Sequence, residues 1–191
     1  MRVIAGKARR TQLTAPAGLN TRPTSDMCRE NLFNILSPYI TGARFLDLFC
    51  GSGAIGIEAL SRGATISVFV DNAHIAKEAT FDNLQRTKLL EQSEFFRMTA
   101  TNAIVTLTQE ERQFDIIFLD PPYEDIIMLN KTIYKIFNTS ILAPNGIVIV
   151  ETDLKNYTQG NIVFANALEF INTRKYGNTC FIFLKDKVGN I

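Results

Sequence analysis

From Ala43 onward the chain alternates short apolar runs with amphipathic stretches, and that rhythm restricts its fold more than any other feature. ARFLDLF, TISVFVD, SEFFRM, FDIIFLD and GIVIVE read as strands. Between them, AIGIEALSR closed by Gly63, AHIAKEATFDNLQRTKLL, residues 103–109 and the stretch holding Ile126, Leu129, Ile133 and Ile136 at helical steps read as helices. Strands joined by crossover helices predict an α/β fold with a mostly parallel sheet covered on both faces. After Glu151 the rhythm changes. Residues 161–164 and 180–184 read as strands around a helix-like stretch near Leu168, and suggest an antiparallel finish to the sheet.

The segment before Ala43 has a different character. RVIAGKARRTQLTAPAG suggests two extended pieces joined at a turn, a small basic hairpin over residues 1–20 preceding a main domain of residues 21–191. Thr24, Ser25 and Asp26 offer caps for a helix carrying Leu32, Ile35, Leu36 and Tyr39, with Pro38 near its end. Charge is asymmetric, since residues 1–44 hold seven Lys/Arg against two Asp/Glu although the whole chain nets only +1. The basic end, Lys7, Arg9 and Arg10 above all, is where a polyanion would bind.

Composition excludes several classes. With 46% apolar and 20% charged residues among 191, the chain can bury a sizeable core and is neither disordered nor collagen-like. Its apolar runs are far shorter than the ~20 residues that cross a bilayer, and residues 1–10 lack the apolar region of a signal peptide. Three scattered cysteines and one histidine support neither a disulfide framework nor a metal site. Reduced thiols fit the cytoplasm. No periodic or unusually apolar surface marks an oligomer, so a monomer is expected.

FLDLFCGSGAIG places Gly51, Gly53 and Gly56 between a strand and a helix, the GxGxxG spacing at which backbone amides approach a ligand. Asp47 alters what that ligand can be. A carboxylate inside an apolar strand repels pyrophosphate and attracts a ligand with ammonium and sulfonium groups; the alternative is that Asp47 caps the loop. Asp71 ends the second strand near the ~20-residue interval where an acid accepts ribose hydroxyls; the alternative is a cap for the helix that begins near His74, and the two roles can coexist. His74 reads as a solvated first-turn residue. Cys50 has no histidine or cation to activate it and reads as a small apolar residue. Phe33, Phe45, Phe49 and Phe118 read as core.

Asp120, Pro121, Pro122 and Tyr123 follow a buried-type strand at its carboxyl end, where open α/β sheets bind ligands. Two prolines contribute no N–H groups, which leaves carbonyls of fixed direction beside an acid and an aromatic ring. Such a turn accepts hydrogen bonds from an exocyclic amine while the ring stacks on its base. Acceptors matter because an aryl amine is a poor nucleophile until its lone pair is drawn out of the ring. The Asp120 carboxylate and Pro121 carbonyl suit that task, and Asp120 also steadies charge developing on nitrogen.

Glycine loop, ribose acid and DPPY in this order resemble an S-adenosylmethionine-dependent amino methyltransferase. RVIAGKARR, TRPTSD, LFNIL, DLFCGSGAIGIEALSRGA, FDIIFLDPPY, LAPNGIVIVE and RKYGNT further resemble the bacterial family that methylates guanine N2 in 16S rRNA of the small ribosomal subunit, over nearly the full chain. The resemblance implies a Rossmann-like class I methyltransferase fold, a seven-stranded sheet with its last strand antiparallel behind an N-terminal hairpin. It implies that Arg22, Pro23 and Thr24 lie beside the cofactor, that Asp47, Gly51 and Gly53 line its methionine side, and that Asp71 holds its ribose. It implies that residues 120–123 receive a flipped guanine and that Arg174 and Tyr176 stand near the substrate mouth. One departure is Asn102, standing where the family's GDA-like triplet is acidic; an asparagine can still contact an adenine edge. Arg22 and Arg29 suit cofactor or substrate contacts and general phosphate attraction equally.

Three other functions fit parts of the pattern. DPPY-type turns also serve adenine N6 methylation in DNA, GxGxxG also serves nicotinamide-dependent oxidoreductases, and a non-catalytic RNA-binding assembly factor can retain a cofactor pocket. Asp47 and DPPY oppose the oxidoreductase. So small a basic patch gives limited grip on bare RNA, which favours an assembled or partly assembled subunit as substrate.

Overall fold

A computed structural model describes residues 1–16, 25–163 and 168–186. The chain divides into two compact units, Met1–Thr99 and Ala100–Ile191. The expected boundary between residues 20 and 21 falls outside the described residues.

In the first unit the chain folds back on itself through an antiparallel bridge between Arg2 and Gln12. Val3 donates to the Thr11 carbonyl at 3.0 Å and Leu13 to that of Met1 at 3.0 Å, while Val3, Ala8 and Leu13 bury their side chains. Helix α1 (Asp26–Ile40) starts at Ser25, whose hydroxyl accepts from the Cys28 amide, and includes Pro38. Its inward face of Leu32, Phe33, Leu36 and Ile40 keeps helical spacing. Strands β1 (Arg44–Leu48), β2 (Ile66–Val70) and β3 (Ser93–Phe96) are parallel in the order β3-β2-β1. Helix α2 (Ala54–Ser61) connects β1 to β2, and α3 (His74–Thr87) connects β2 to β3. Every residue of α2 is buried, so its sequence is apolar all round rather than amphipathic.

Two polar residues interrupt α2, Ser61 and the fully buried Glu58, which accepts from the Ile4 amide at 2.8 Å, the Ala5 amide at 3.0 Å and Arg62 Nε at 2.6 Å. The N-terminal turn is thereby seated on the helix that follows the glycine loop. Gly6 completes the seat, since a Cβ there would stand 1.8 Å from the Ser61 carbonyl oxygen.

The second unit holds α4 (Ala100–Gln109), β4 (Phe114–Leu119), α5 (Ile126–Phe137), β5 (Leu142–Asp153), α6 (Leu154–Thr158), β6 (Leu168–Tyr176) and β7 (Thr179–Asp186). β4 and β5 are parallel, whereas β7 pairs antiparallel with both β5 and β6, in the order β4-β5-β7-β6. A two-residue turn joins β6 to β7 with Gly177 at φ 60° in its first central position, as a type II′ turn requires. The expected antiparallel finish is present. Its first members differ from expectation: residues 161–163 form no strand, Phe164 lies outside the described residues, and the helix-like stretch near Leu168 is strand β6. Leu168 and Glu169 are good helix formers, but pairing of eight β6 residues with β7 overrides that preference. A register shift between Phe170 and Asn172 also breaks the alternation by which a strand is recognised. Among the described residues no helix is long and apolar enough to cross a membrane.

Candidate functional site

From the end of β1 to the first turn of α2 stand three glycines with two different duties. Gly51 (φ 53°) and Gly53 (φ 73°) adopt left-handed backbone that a side chain disfavours. A Cβ on Gly53 would press on Thr80 at 2.9 Å, and one on Gly56 would meet the Phe69 ring at 2.4 Å and Ser67 Oγ at 2.5 Å. A Cβ on Gly51 meets nothing within 4 Å. Gly53 and Gly56 therefore serve packing, whereas Gly51 faces open space where a ligand can approach the backbone. Just before them Phe49 also has positive φ, 66°, and is only half-buried. This corrects its assignment to the core, which holds for Phe33, Phe45 and Phe118.

Both acids of this half are tied to backbone amides. Asp47 is 1% exposed and accepts from Gly56 N at 2.9 Å, capping the first turn of α2 in place of Gly53, which has no side chain to do so. Capping thus occupies its Oδ2, and the carboxylate charge remains beside the loop. Asp71 accepts from Gly51 N at 3.0 Å through Oδ2 and from Ala73 N at 2.9 Å through Oδ1. Each carboxylate oxygen can accept a second hydrogen bond, so anchoring α3 and receiving ribose hydroxyls are compatible duties. Burial, then Asp47 and Asp71, push the Cys50 thiol up, so it stays protonated, inert and apolar in character. His74 is exposed and faces Glu78 at 3.4 Å.

Arg29, expected either to contact cofactor or substrate or to attract phosphate, has a structural role as well. It is 1% exposed, and Nη2 donates to Asp26 Oδ1 at 2.6 Å and the Arg2 carbonyl at 2.7 Å, bracing α1 against the N-terminal turn. Lys7, Arg9 and Arg10 are exposed on that turn, Arg10 at φ 71°, and Lys7 Nζ donates to the Gln92 side chain. Arg22, Pro23 and Thr24 lie outside the described residues.

The second unit carries the DPPY turn at the end of β4. Asp120 and Tyr123 are half-buried, Pro121 is buried and Pro122 exposed. The turn is closed by Asp125, whose amide donates to the Pro122 carbonyl at 2.9 Å and whose side chain caps α5 by accepting from Met128 N at 2.9 Å. Asn156 on α6 donates to the Tyr123 carbonyl at 2.7 Å. The Tyr123 hydroxyl points to Glu151 Oε1 at 3.5 Å, at the end of β5. Burial first, then the charges of Glu151 and Asp120, push the Tyr123 phenol far up, so the ring stays neutral. A neutral ring can stack on a base without an anion facing it.

Sequence reading missed Glu151 and Asn156 as parts of this turn's support. Glu151 carried a signal, being a carboxylate at the end of an apolar strand, while Asn156 sits in a five-residue helix that left none. Arg174 is exposed and Tyr176 half-buried on β6; Tyr176 packs against Phe181, with ring centroids 6.1 Å apart, and Arg174 Nη1 donates to Asn172 Oδ1 at 2.5 Å. Asn102 departs from expectation. It is the third residue of α4, not part of the loop after β3, and it lines a groove with Val105 and with Asn130 and Tyr134 of α5. The helix begins at Ala100, so the loop position ahead of it belongs to Thr99. No cluster of His, Cys, Asp or Glu among the described residues could hold a metal ion.

Known proteins resemble this chain throughout. A Bacillus subtilis (strain 168) protein described as a candidate rRNA methyltransferase, YlbH, is 40% identical over 153 residues, 80% of this chain and 83% of its own. Ribosomal RNA small subunit methyltransferase D of Escherichia coli (strain K12) is 35% identical over 156 residues, 82% of this chain and 76% of its own. The solved structure of a candidate Escherichia coli methyltransferase, yhhF, superposes with a TM-score of 0.83 at 27% identity, covering 99% of both chains. This likeness shows the expected fold, a Rossmann-like class I methyltransferase with a mostly parallel seven-stranded sheet. Motifs, fold and relatives agree: the chain belongs to the family described as Conserved hypothetical protein 95, whose model matches residues 1–185.

Proposed function

We propose that this protein transfers a methyl group from S-adenosylmethionine to the exocyclic N2 amine of a guanine in 16S rRNA, acting on an assembled or partly assembled small subunit. Asp47, Gly51 and Gly53 line the methionyl side of the cofactor and Asp71 takes its ribose. Residues 120–123 receive the guanine. Arg22, Pro23 and Thr24 are assigned to the cofactor by the family motif alone, and the adenine contact of Asn102 is not carried forward.

The observation that carries the reading is the acceptor turn. Its prolines donate nothing, its aromatic ring is held neutral, and its backbone is fixed from outside by Asn156 at 2.7 Å. In the reaction a target base leaves its stack, costing a few kcal/mol, least in a loop or single strand. Tyr123 stacks it. The Asp120 carboxylate and Pro121 carbonyl accept from the N2 hydrogens, so the nitrogen lone pair turns toward the sulfonium methyl. Bound S-adenosylmethionine would supply the methyl group: the N–C bond would form as the S–C bond breaks, leaving S-adenosylhomocysteine, and the nitrogen would give one proton to solvent. Asp120 stabilises the positive charge on nitrogen before that proton leaves, a role worth more than proton transfer itself. The basic turn at Lys7, Arg9 and Arg10 attracts phosphates, with Arg174 and Tyr176 contributing at the substrate side.

The names of the relatives support an rRNA target. The reading further expects a cytoplasmic monomer without a metal. Labelled cofactor offered in parallel to naked rRNA, small subunits and duplex DNA tests polymer and assembly state together. Label in small subunits is expected; label in duplex DNA alone would replace this reading with adenine N6 methylation.

A further inference from the structure

Asn83 is a fully buried amide on α3 that no step of the proposed reaction uses. It lies on the inward face of that helix with Ala76, Ala79, Thr80, Leu84 and Thr87, an unremarkable position for a small or apolar residue. Its hydrogen bonds explain why an amide stands there. Oδ1 accepts from the Thr14 amide at 2.9 Å and the Thr14 hydroxyl at 3.2 Å. Nδ2 donates to the Thr14 carbonyl at 2.9 Å and to the Ser52 carbonyl at 2.9 Å. Both donors and both acceptor sites of the side chain are filled. Three of the four bonds grip the residue at which the chain leaves the basic turn, and the fourth grips the glycine loop between Gly51 and Gly53.

Two neighbours reinforce the loop side. The Thr80 hydroxyl, one turn earlier on α3, donates to the Gly51 carbonyl at 3.1 Å, and Ser52 Oγ lies 3.7 Å from Met1 Sδ. At its other end the basic turn is seated on α2 by Glu58 and Ser61. The same turn is therefore fixed at both ends of α2, a helix about 12 Å long at 1.5 Å per residue.

We infer that Asn83 is a positioning residue that clamps the exit of the basic turn to the cofactor loop, so that displacement of the turn is transmitted to cofactor affinity. This rests on the reading of residues 51–53 as the cofactor loop. A buried amide left half-satisfied costs more than one removed with its partners, so the clamp holds both ends or releases both. Its functional consequence is that a phosphate backbone drawing on Lys7, Arg9 and Arg10 adjusts the loop that holds the methyl donor.

A double-mutant cycle on S-adenosylhomocysteine binding, measured by calorimetry on the full chain, tests the clamp. Gly6→Ala lifts the turn from α2 without touching the loop, because its Cβ cannot coexist with the Ser61 carbonyl. Asn83→Leu removes the clamp. Asn83→Asp keeps an acceptor for the Thr14 amide and hydroxyl but can donate to neither the Thr14 nor the Ser52 carbonyl. Thr87→Val is the control, since among the described residues the Thr87 hydroxyl bonds only to the Asn83 and Leu84 carbonyls of its own helix.

Gly6→Ala is expected to weaken binding roughly 3- to 10-fold, and Asn83→Leu and Asn83→Asp about 10-fold each. The Gly6→Ala/Asn83→Leu double variant should bind no more weakly than Asn83→Leu alone, and Thr87→Val should stay within about twofold of wild type. Unchanged affinity in Gly6→Ala, factors that multiply in the double variant, or equal losses in Asn83→Leu and Thr87→Val would each overturn the clamp. If Asn83→Leu does not fold, Asn83→Asp takes its place, and Gly6→Ala remains decisive alone. Hydrogen exchange at the Gly51 amide gives a readout independent of ligand, and Gly6→Ala should accelerate it. Wild-type protein that fails to bind S-adenosylhomocysteine, with the exchange effect intact, would sink the reading of the loop and spare the clamp.

Discussion

Replacing Gly51 in the β1–α2 loop or Gly56 in the first turn of α2 by alanine adds the same methyl group, and the two changes should have opposite consequences. At Gly51 the new Cβ meets nothing within 4 Å, so the structural cost is only that of φ 53° for a non-glycine residue, about 1–2 kcal/mol. At Gly56 the Cβ falls 2.4 Å from the Phe69 ring and 2.5 Å from Ser67 Oγ. Both neighbours are fully buried, and such overpacking costs roughly 1–3 kcal/mol. For a chain of this length one kcal/mol lowers Tm by about 2–4 °C. Gly51→Ala should therefore melt about 2–8 °C below wild type and Gly56→Ala about 2–12 °C below. Binding should invert the order. The open space at Gly51 is the proposed seat of the cofactor, so Gly51→Ala should weaken S-adenosylhomocysteine about tenfold or more, equivalent to 1.4 kcal/mol. Gly56→Ala, once folded, should stay within about threefold, because its methyl faces the sheet. Calorimetry below both melting temperatures, paired with thermal melts, separates the terms. Wild-type affinity in Gly51→Ala would refute the argument that the space above this glycine belongs to the ligand.

Other expectations follow from single contacts. Asp71→Asn must turn its amide toward the Gly51 or Ala73 N–H, both of which are donors, so cofactor affinity should fall about tenfold or more in the same calorimetric assay. Glu58→Ala strands Arg62 and the amides of Ile4 and Ala5; loss of one partner of so buried a pair should cost about 3 kcal/mol or more, read by denaturant unfolding, with faster amide exchange at residues 4 and 5. Cys50 and Tyr123 both hold their protons more tightly folded than unfolded. Their contribution to stability is therefore complete below the ordinary thiol and phenol range and is lost as pH rises through it toward the folded values. Cys50→Ala should flatten the alkaline fall in Tm, and iodoacetamide at mildly alkaline pH should label Cys50 only after unfolding.

Much of the architecture is legible in the sequence because buried parallel strands are apolar without interruption, as in β2 and β4. Asp47, Asp71 and Asp120 stand out for the same reason, each being a carboxylate in or at the end of an apolar run. Strand β6 is not legible, because Phe170 and Ile171 are exposed on it and a register shift breaks its alternation. Asn83, Glu58 and Asn156 are equally hidden. Each is a single polar residue whose role is set by backbone groups distant in sequence, and no local pattern encodes such a partner. Asn102 is assigned through the family's triplet alone, and the start of α4 at Ala100 places it inside a helix, which the triplet by itself does not reveal.

The acceptor turn is tested most directly by mass spectrometry of nucleosides from small subunits incubated with isotope-labelled methyl donor and either wild-type protein or Asp120→Ala. Wild type should place the label on guanosine N2, and Asp120→Ala should lose at least about 100-fold in turnover while binding S-adenosylhomocysteine normally. Label on adenosine or ribose, or an Asp120→Ala variant as active as wild type, would contradict the assignment of residues 120–123 as the seat of an amine.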